Sequence, residues 1–104
     1  MDVKVPSIVK AELLLGASKS AQPKRTRAVV DAFLFPFEVV PFCGLAAEHY
    51  AAVRASLEER GEPIGPNDLV VAATVLAHAG VLVTHNLAEF KRVKRMRTVD
   101  WTVA

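Results

Sequence analysis

Apolar positions along this chain fall into short unbroken runs separated by longer stretches with helical spacing. Val3-Lys4-Val5 reads as the end of a short strand, and Pro6-Ser7 then opens a helix. In that helix Ile8, Glu12 and Leu15 fall on neighbouring turns, Leu13 and Leu14 fill the apolar side, and Gly16 and Ser18 lie near its stop. Ser20-Ala21-Gln22-Pro23 is a turn, and Pro23 starts a second helix over residues 23–34, whose basic first turn gives way to Val29, Val30, Ala32, Phe33 and Leu34. Residues 38–42 read as a strand, ended by Pro41 and Gly44. Over residues 45–60, Leu45, Ala46, His49, Tyr50, Val53 and Leu57 recur at helical spacing, with Glu58, Glu59 and Arg60 facing water and Gly61 ending the helix. A loop then leads into an apolar helix that stops at Gly80, expected as its left-handed cap. Val81-Leu82-Val83-Thr84 is too short for a helix and too apolar for an exposed strand, so it predicts a buried parallel strand. Residues 87–91 predict a short helical turn, and residues 98–103 a last strand carrying Trp101. Strands alternating with helices predict an α/β fold with a mostly parallel sheet flanked by helices. Sites in such sheets form at the carboxyl ends of strands, and Thr84-His85-Asn86 follows one.

The length of 104 residues leaves room for one domain, 1–104, and an apolar content of 52% is enough for a core. Pro, Glu or Lys interrupts every apolar stretch too early for a membrane span, and the first residues lack the layout of a signal peptide. With Cys43 as the single cysteine no internal disulfide can form, which suits a reducing cytoplasm and reads Cys43 as a small core residue. The formal charge is +2, but it is unevenly distributed. Lys91, Arg92, Lys94, Arg95 and Arg97 crowd the C-terminal end, and Lys24, Arg25 and Arg27 form a smaller cluster. Taken alone such patches are solvated faces; beside an acidic site they suit a polyanion such as nucleic acid.

Three acids lie within apolar sequence. Glu12 is inside Ala11-Glu12-Leu13-Leu14-Leu15, Asp68 precedes Leu69-Val70-Val71, and Glu89 sits beside Phe90 after the 81–84 strand. Asp68 also follows Gly65-Pro66-Asn67, where Gly65 takes the cap, Pro66 the first helical position and Asp68 the first turn. A carboxylate is favoured there by the helix dipole. Singly, each acid has an ordinary structural explanation as a helix-surface charge or a cap. Gathered at one sheet edge, carboxylates repel each other unless a bound dication reverses the balance. Oxygen ligands suit Mg²⁺ or Mn²⁺, which activate water and stabilise charge on a phosphate. No spacing fits zinc, since Cys43 stands alone and His49, His78 and His85 are scattered. His85 reads as a surface loop residue, His49 and His78 as packing or dipole-satisfying residues, and Tyr50 and Trp101 as core or interface.

Ala11-Glu12-Leu13-Leu14-Leu15-Gly16-Ala17, Pro63-Ile64-Gly65-Pro66-Asn67-Asp68-Leu69 and Leu82-Val83-Thr84-His85-Asn86-Leu87-Ala88-Glu89-Phe90, in that order, resemble the PIN-domain nucleases, most of all the VapC toxins of bacterial toxin–antitoxin pairs. Val99-Asp100-Trp101 is similar to that family's C-terminal ending, and the resemblance covers essentially the whole chain. It implies a Mg²⁺- or Mn²⁺-dependent endoribonuclease, a homodimer, inhibited by a VapB-type antitoxin. Glu12 and Asp68 match the family's metal-holding acids. By the same resemblance Asn86 and Glu89 would complete the catalytic set, Thr84 and Asn67 would orient ligands or water, and Lys91, Arg92, Lys94 and Arg95 would steer RNA.

The family also begins with a strand ending in a Leu-Asp-Thr-type motif, roughly 30 residues before the glutamate, whose aspartate is a metal ligand. Glu12 lies too near Met1 for that segment, and Asp2 precedes a strand rather than ending one, so the chain reads as an N-terminally incomplete domain without the first central strand. The alternative reading is therefore a catalytically inactive PIN domain that binds antitoxin or RNA.

Overall fold

The structure is a computed structural model that describes residues 3–83, 90–93 and 97–99. Its elements run β1 (Lys4–Pro6), α1 (Ser7–Ser18), α2 (Pro23–Leu34), β2 (Glu38–Val40), α3 (Gly44–Glu59), α4 (Pro66–Ala77), β3 (Val81–Val83) and β4 (Arg97–Val99). The expected α/β order is realised. Most of the expected helical turn at residues 87–91 and most of the strand at 98–103, with Trp101, lie outside the described residues; Phe90 and Lys91, at the end of that turn, are helical and turn residues as expected.

Among the described residues strand pairing is parallel, as expected, but it forms two pairs rather than one continuous ladder: β1 with β2, and β3 with β4. Lys4, Val5 and Pro6 face Glu38, Val39 and Val40, while Val81, Leu82 and Val83 face Arg97, Thr98 and Val99. The Lys4–Glu38 register is reinforced by an ion pair, Nζ to Oε1 at 2.7 Å. The strands β1 and β3 approach each other without being hydrogen-bonded neighbours.

The core lies between α3 and α4. Leu57, Ile64, Leu69, Ala72, Val75, Phe90 and Val93 form one buried cluster, with Tyr50, Val53, Val71 and Leu76 packed at its margin. Ala46 on α3 and Ala72 and Ala73 on α4 are almost fully buried. Their small side chains let the helices approach closely, and Leu57 and Val75 fill the space that remains.

Both core helices end in the same turn. At α3, Gly61 N–H donates to the Glu58 carbonyl and Glu62 N–H to that of Leu57; at α4, Ala79 N–H donates to Leu76 and Gly80 N–H to Val75. Each is a Schellman arrangement, which needs a left-handed residue just past the cap. Gly61 supplies it at α3, with φ 68°. At α4 the left-handed residue is Ala79, φ 52°, and not Gly80 as the sequence predicted, because α4 ends one residue earlier than the glycine implies.

Other packing expectations are also corrected. The expected apolar side of α1 is largely outward: Leu13 and Leu15 are exposed, Leu14 is half-buried, and Ala17 is the residue α1 buries. Its run of leucines is apolar all round, so spacing alone does not choose a face. Leu45, at the open start of α3, is likewise exposed. Cys43 is half-buried rather than core, with its Sγ 3.9 Å from His78 Nε2. His78 Nε2 lies 3.0 Å from the Pro41 carbonyl oxygen, so its N–H donates there and ties the end of α4 to the chain entering α3. No helix among the described residues is long and apolar enough to cross a membrane.

Candidate metal and nucleic-acid site

The first turn of α4 is built as the sequence predicts. Gly65 is the extended N-cap (φ −61°, ψ 150°), Pro66 opens the helix, and Asp68 is the acid of the first turn. Leu69 N–H donates to the Gly65 carbonyl at 2.9 Å, closing the first helical bond. Asp68 is half-buried, beside the fully buried Leu69. Pro66 has no N–H to lose and its fixed φ pre-sets the helix. Pro66 and Asn67 are exposed, while Leu69, Ala72, Ala73, Thr74 and Val75 are buried.

Helix α1 brings Glu12 to this turn. Asn67 Nδ2 donates to Glu12 Oε1 at 3.4 Å, a long contact spanning two helices far apart in sequence. Glu12 is exposed, so its carboxylate keeps access to solvent or a ligand. Glu12 and the Asn67–Asp68 turn thus meet in one place, and Asn67 touches the Glu12 carboxylate directly. These donors are oxygen-rich and open to water, the chemistry that suits Mg²⁺ or Mn²⁺ with retained waters. Among the described residues, no three His, Cys, Asp or Glu side chains gather into a metal-holding group. Asn86 and Glu89 lie outside the described residues, as do Thr84, His85 and Asp2.

The basic positions divide in the same way. Lys94 and Arg95 lie outside the described residues, whereas Lys91 and Arg92 are exposed beside the buried Phe90 and Val93. Arg92 Nη1 donates to the Pro63 carbonyl at 3.0 Å, and Arg60 Nη2 donates to the Arg92 carbonyl at 2.6 Å. Arg92 therefore braces the loop that leads into α4. Away from the site, a hydrogen bond to Glu58 and then one to Tyr50 raise the Arg54 guanidinium above its ordinary pKa.

A second exposed feature was not foreseen. Helices α1 and α2 present Leu13, Leu15, Val29 and Phe33 to solvent, and Phe35 caps α2 outward, with Phe33 63% and Phe35 90% exposed. Phe33 stacks edge-on against Phe37, with ring centroids 5.9 Å apart. The signal available in sequence was the doubled apolar stripe on α2: Val30 and Leu34 turn inward while Val29 and Phe33 turn outward.

The profile of the PIN domain matches residues 2–96. The tRNA(fMet)-specific endonuclease VapC of Shigella flexneri is 37% identical over 98 residues, covering 94% of this chain and 74% of that protein. In the crystal structure of VapBC2 from Rickettsia felis bound to a promoter DNA fragment, one chain is 36% identical with a TM-score of 0.86, covering 96% of this chain and 75% of that one. The DNA-bound VapBC structure from Salmonella typhimurium gives 40% identity and a TM-score of 0.85, covering 94% of this chain and 74% of its counterpart.

Proposed function

This chain belongs to the PIN-domain family, and on that premise we propose that it is a VapC-type endoribonuclease toxin that hydrolyses RNA phosphodiester bonds with Mg²⁺ or Mn²⁺. The observation that carries the reading is the meeting of Glu12 with the Asn67–Asp68 turn across two helices. Glu12 and Asp68 would hold the ion. When bound, such an ion supplies an activated water and offsets the charge developing on the phosphate. The chain's own part is positional. Asn67 orients the Glu12 carboxylate, the cap of α4 holds Asp68 at the rim of the core, and Asn86 and Glu89, following β3 in sequence, complete the polar set. Lys91, Arg92, Lys94 and Arg95 draw in the RNA strand.

The partner we assign is a VapB-type antitoxin, in keeping with the VapBC complexes that this fold resembles. The exposed apolar side chains of α1, α2 and Phe35 support a protein partner, since exposed apolar surface marks docking sites. We also expect a homodimer, acting in the cytoplasm.

The test is cleavage of a labelled RNA in Mn²⁺. The native chain is expected to cleave, and Asp68→Ala to lower the rate by at least roughly a hundredfold, the equivalent of losing several kcal/mol of charge stabilisation. Cleavage unchanged by Asp68→Ala would overturn the catalytic reading. A native chain that never cleaves yet binds antitoxin would put the binding-only alternative in its place.

A further inference from the structure

One face of α3 carries a feature the catalytic reading does not use. His49, Ala52, Val53, Ser56, Leu57 and Arg60 recur every three or four residues, and with Leu76, Arg92 and Val93 they line a cavity of about 190 Å³. Its floor is apolar, from Val53, Leu57, Leu76 and Val93, and its polar edge is supplied by His49, Ser56, Arg60 and Arg92. No carboxylate is among the described lining residues, although Glu62 sits 3.7 Å from Arg60 Nη1. His49 and Ser56 make no side-chain hydrogen bond to another described residue, and Ser56 and Arg60 are exposed. The sequence predicts His49 as a packing or dipole-satisfying residue and Arg60 as water-facing; Arg60 is exposed, and His49 is half-buried at the cavity edge. The polar stripe at i, i+7 and i+11 was the available signal.

An apolar floor edged by two arginines suits a single strand of nucleic acid, whose sugars lie on the floor while its phosphates meet Arg60 and Arg92. The volume is below the roughly 300–1,000 Å³ of clefts that enclose drug-sized ligands, so a freely diffusing cofactor is a poorer fit than one unit of a longer strand. His49 and Arg60 are separated by about 16 Å along the helix axis, long enough to follow a short stretch of backbone. Arg92 joins this rim to the Pro63 loop, which leads directly into the first turn of α4. We propose that the α3 groove, edged by His49, Ser56, Arg60 and Arg92, is a seat for the single-stranded RNA that approaches the Glu12–Asp68 site. The proposal rests on the reading of the chain as RNA-directed, and extends it to where the strand lies outside the cleaved bond.

The experiment is fluorescence anisotropy of a labelled oligoribonucleotide with the full chain in EDTA, where no metal-dependent cleavage proceeds. Ser56→Glu puts a carboxylate in the groove at an exposed helix position, and Ala55→Glu makes the same charge change on α3 at a residue that does not line the groove. Ser56→Glu is expected to weaken binding on the order of tenfold at about 50 mM salt and to lower the slope of log affinity against log salt by about 0.7, the loss of one phosphate contact. Ala55→Glu should change both much less. Arg60→Gln should act in the same direction as Ser56→Glu. If it unfolds the chain because the Arg92 brace is lost, the glutamate pair still decides the matter. Equal effects from Ser56→Glu and Ala55→Glu, or none, would overturn the groove, as would an RNA affinity too weak to measure in the native chain. Sedimentation showing that Ser56→Glu converts a dimer to monomer without weakening RNA would overturn it too, making the face a contact between copies. Because cleavage is not read, groove-dependent binding by an inactive chain supports this proposal while failing the catalytic one.

Discussion

Helices α3 and α4 bury Ala46, Leu57, Leu69, Ala72, Ala73 and Val75, whereas α1 and α2 bury Ala17 and Leu34 and expose Leu13, Leu15, Val29 and Phe33. Both pairs of helices contain long apolar stretches, so composition does not separate them. What differs is whether a second element covers the stripe. The α3–α4 body carries the stability of the fold, and the α1–α2 arm carries surface that remains available to a partner. The candidate site belongs to neither alone, because Glu12 comes from the arm and Asp68 from the body. A displacement of the arm therefore moves Glu12 relative to Asp68.

The sharpest way to break this comparison is to truncate one leucine on each side. Leu57→Ala, in the middle of the body, should cost about 2–5 kcal/mol in urea unfolding through lost burial and the cavity left behind. Leu15→Ser, on the arm, should stay within about 0.5 kcal/mol of the native chain. Equal losses would mean that the arm is part of the core after all.

The reverse experiment reads partner binding. A Val29→Ser, Phe33→Ser double variant should leave the melting temperature nearly unchanged while reducing affinity for a VapB-type antitoxin by about 2 kcal/mol or more in a calorimetric titration, as expected where exposed aromatic anchors are removed. Unaltered antitoxin affinity would place the docking surface elsewhere. Asn67→Ala probes the joint between the two regions. It removes the contact to Glu12 and should lower kcat/KM for RNA by about 10- to 100-fold, as for other groups that orient metal-holding ligands, with little change in unfolding free energy.

The order of elements was legible because each boundary carries its own local chemistry: Pro23 and Pro66 at helix starts, Gly61 after α3, and an unbroken apolar run for β3. The α4 entrance, with Asp68 in its first turn, could be read from Gly65-Pro66-Asn67 for the same reason. The convergence of Glu12 on that turn was implied only by resemblance, because nothing near Glu12 in sequence says which helix will lie against it. The outward face of α1 was misread because three successive leucines have no period, and the cover that decides their orientation is tertiary. The groove on α3 escaped notice since its rim is split between α3 and Arg92, and helical spacing alone cannot bring them together.

The two Schellman turns of the body refine the comparison at its smallest scale, since they share one hydrogen-bond pattern and differ in the left-handed residue. Gly61 adopts φ 68° with no heavy atom near a built-in Cβ, so Gly61→Ala would meet a backbone penalty alone. Ala79 already bears that penalty at φ 52°. The left-handed region costs an alanine about 1–2 kcal/mol, and the extra freedom of glycine in the unfolded chain returns about 0.4–1 kcal/mol of it. Ala79→Gly should therefore raise stability by roughly 0.5–1 kcal/mol, and Gly61→Ala should lower it by a similar amount. Thermal melts of the two variants provide the check. Opposite shifts of comparable size would show that both ends of the body obey the same backbone rule, whereas a loss on Ala79→Gly would mean that the Ala79 side chain makes contacts worth more than the strain it carries.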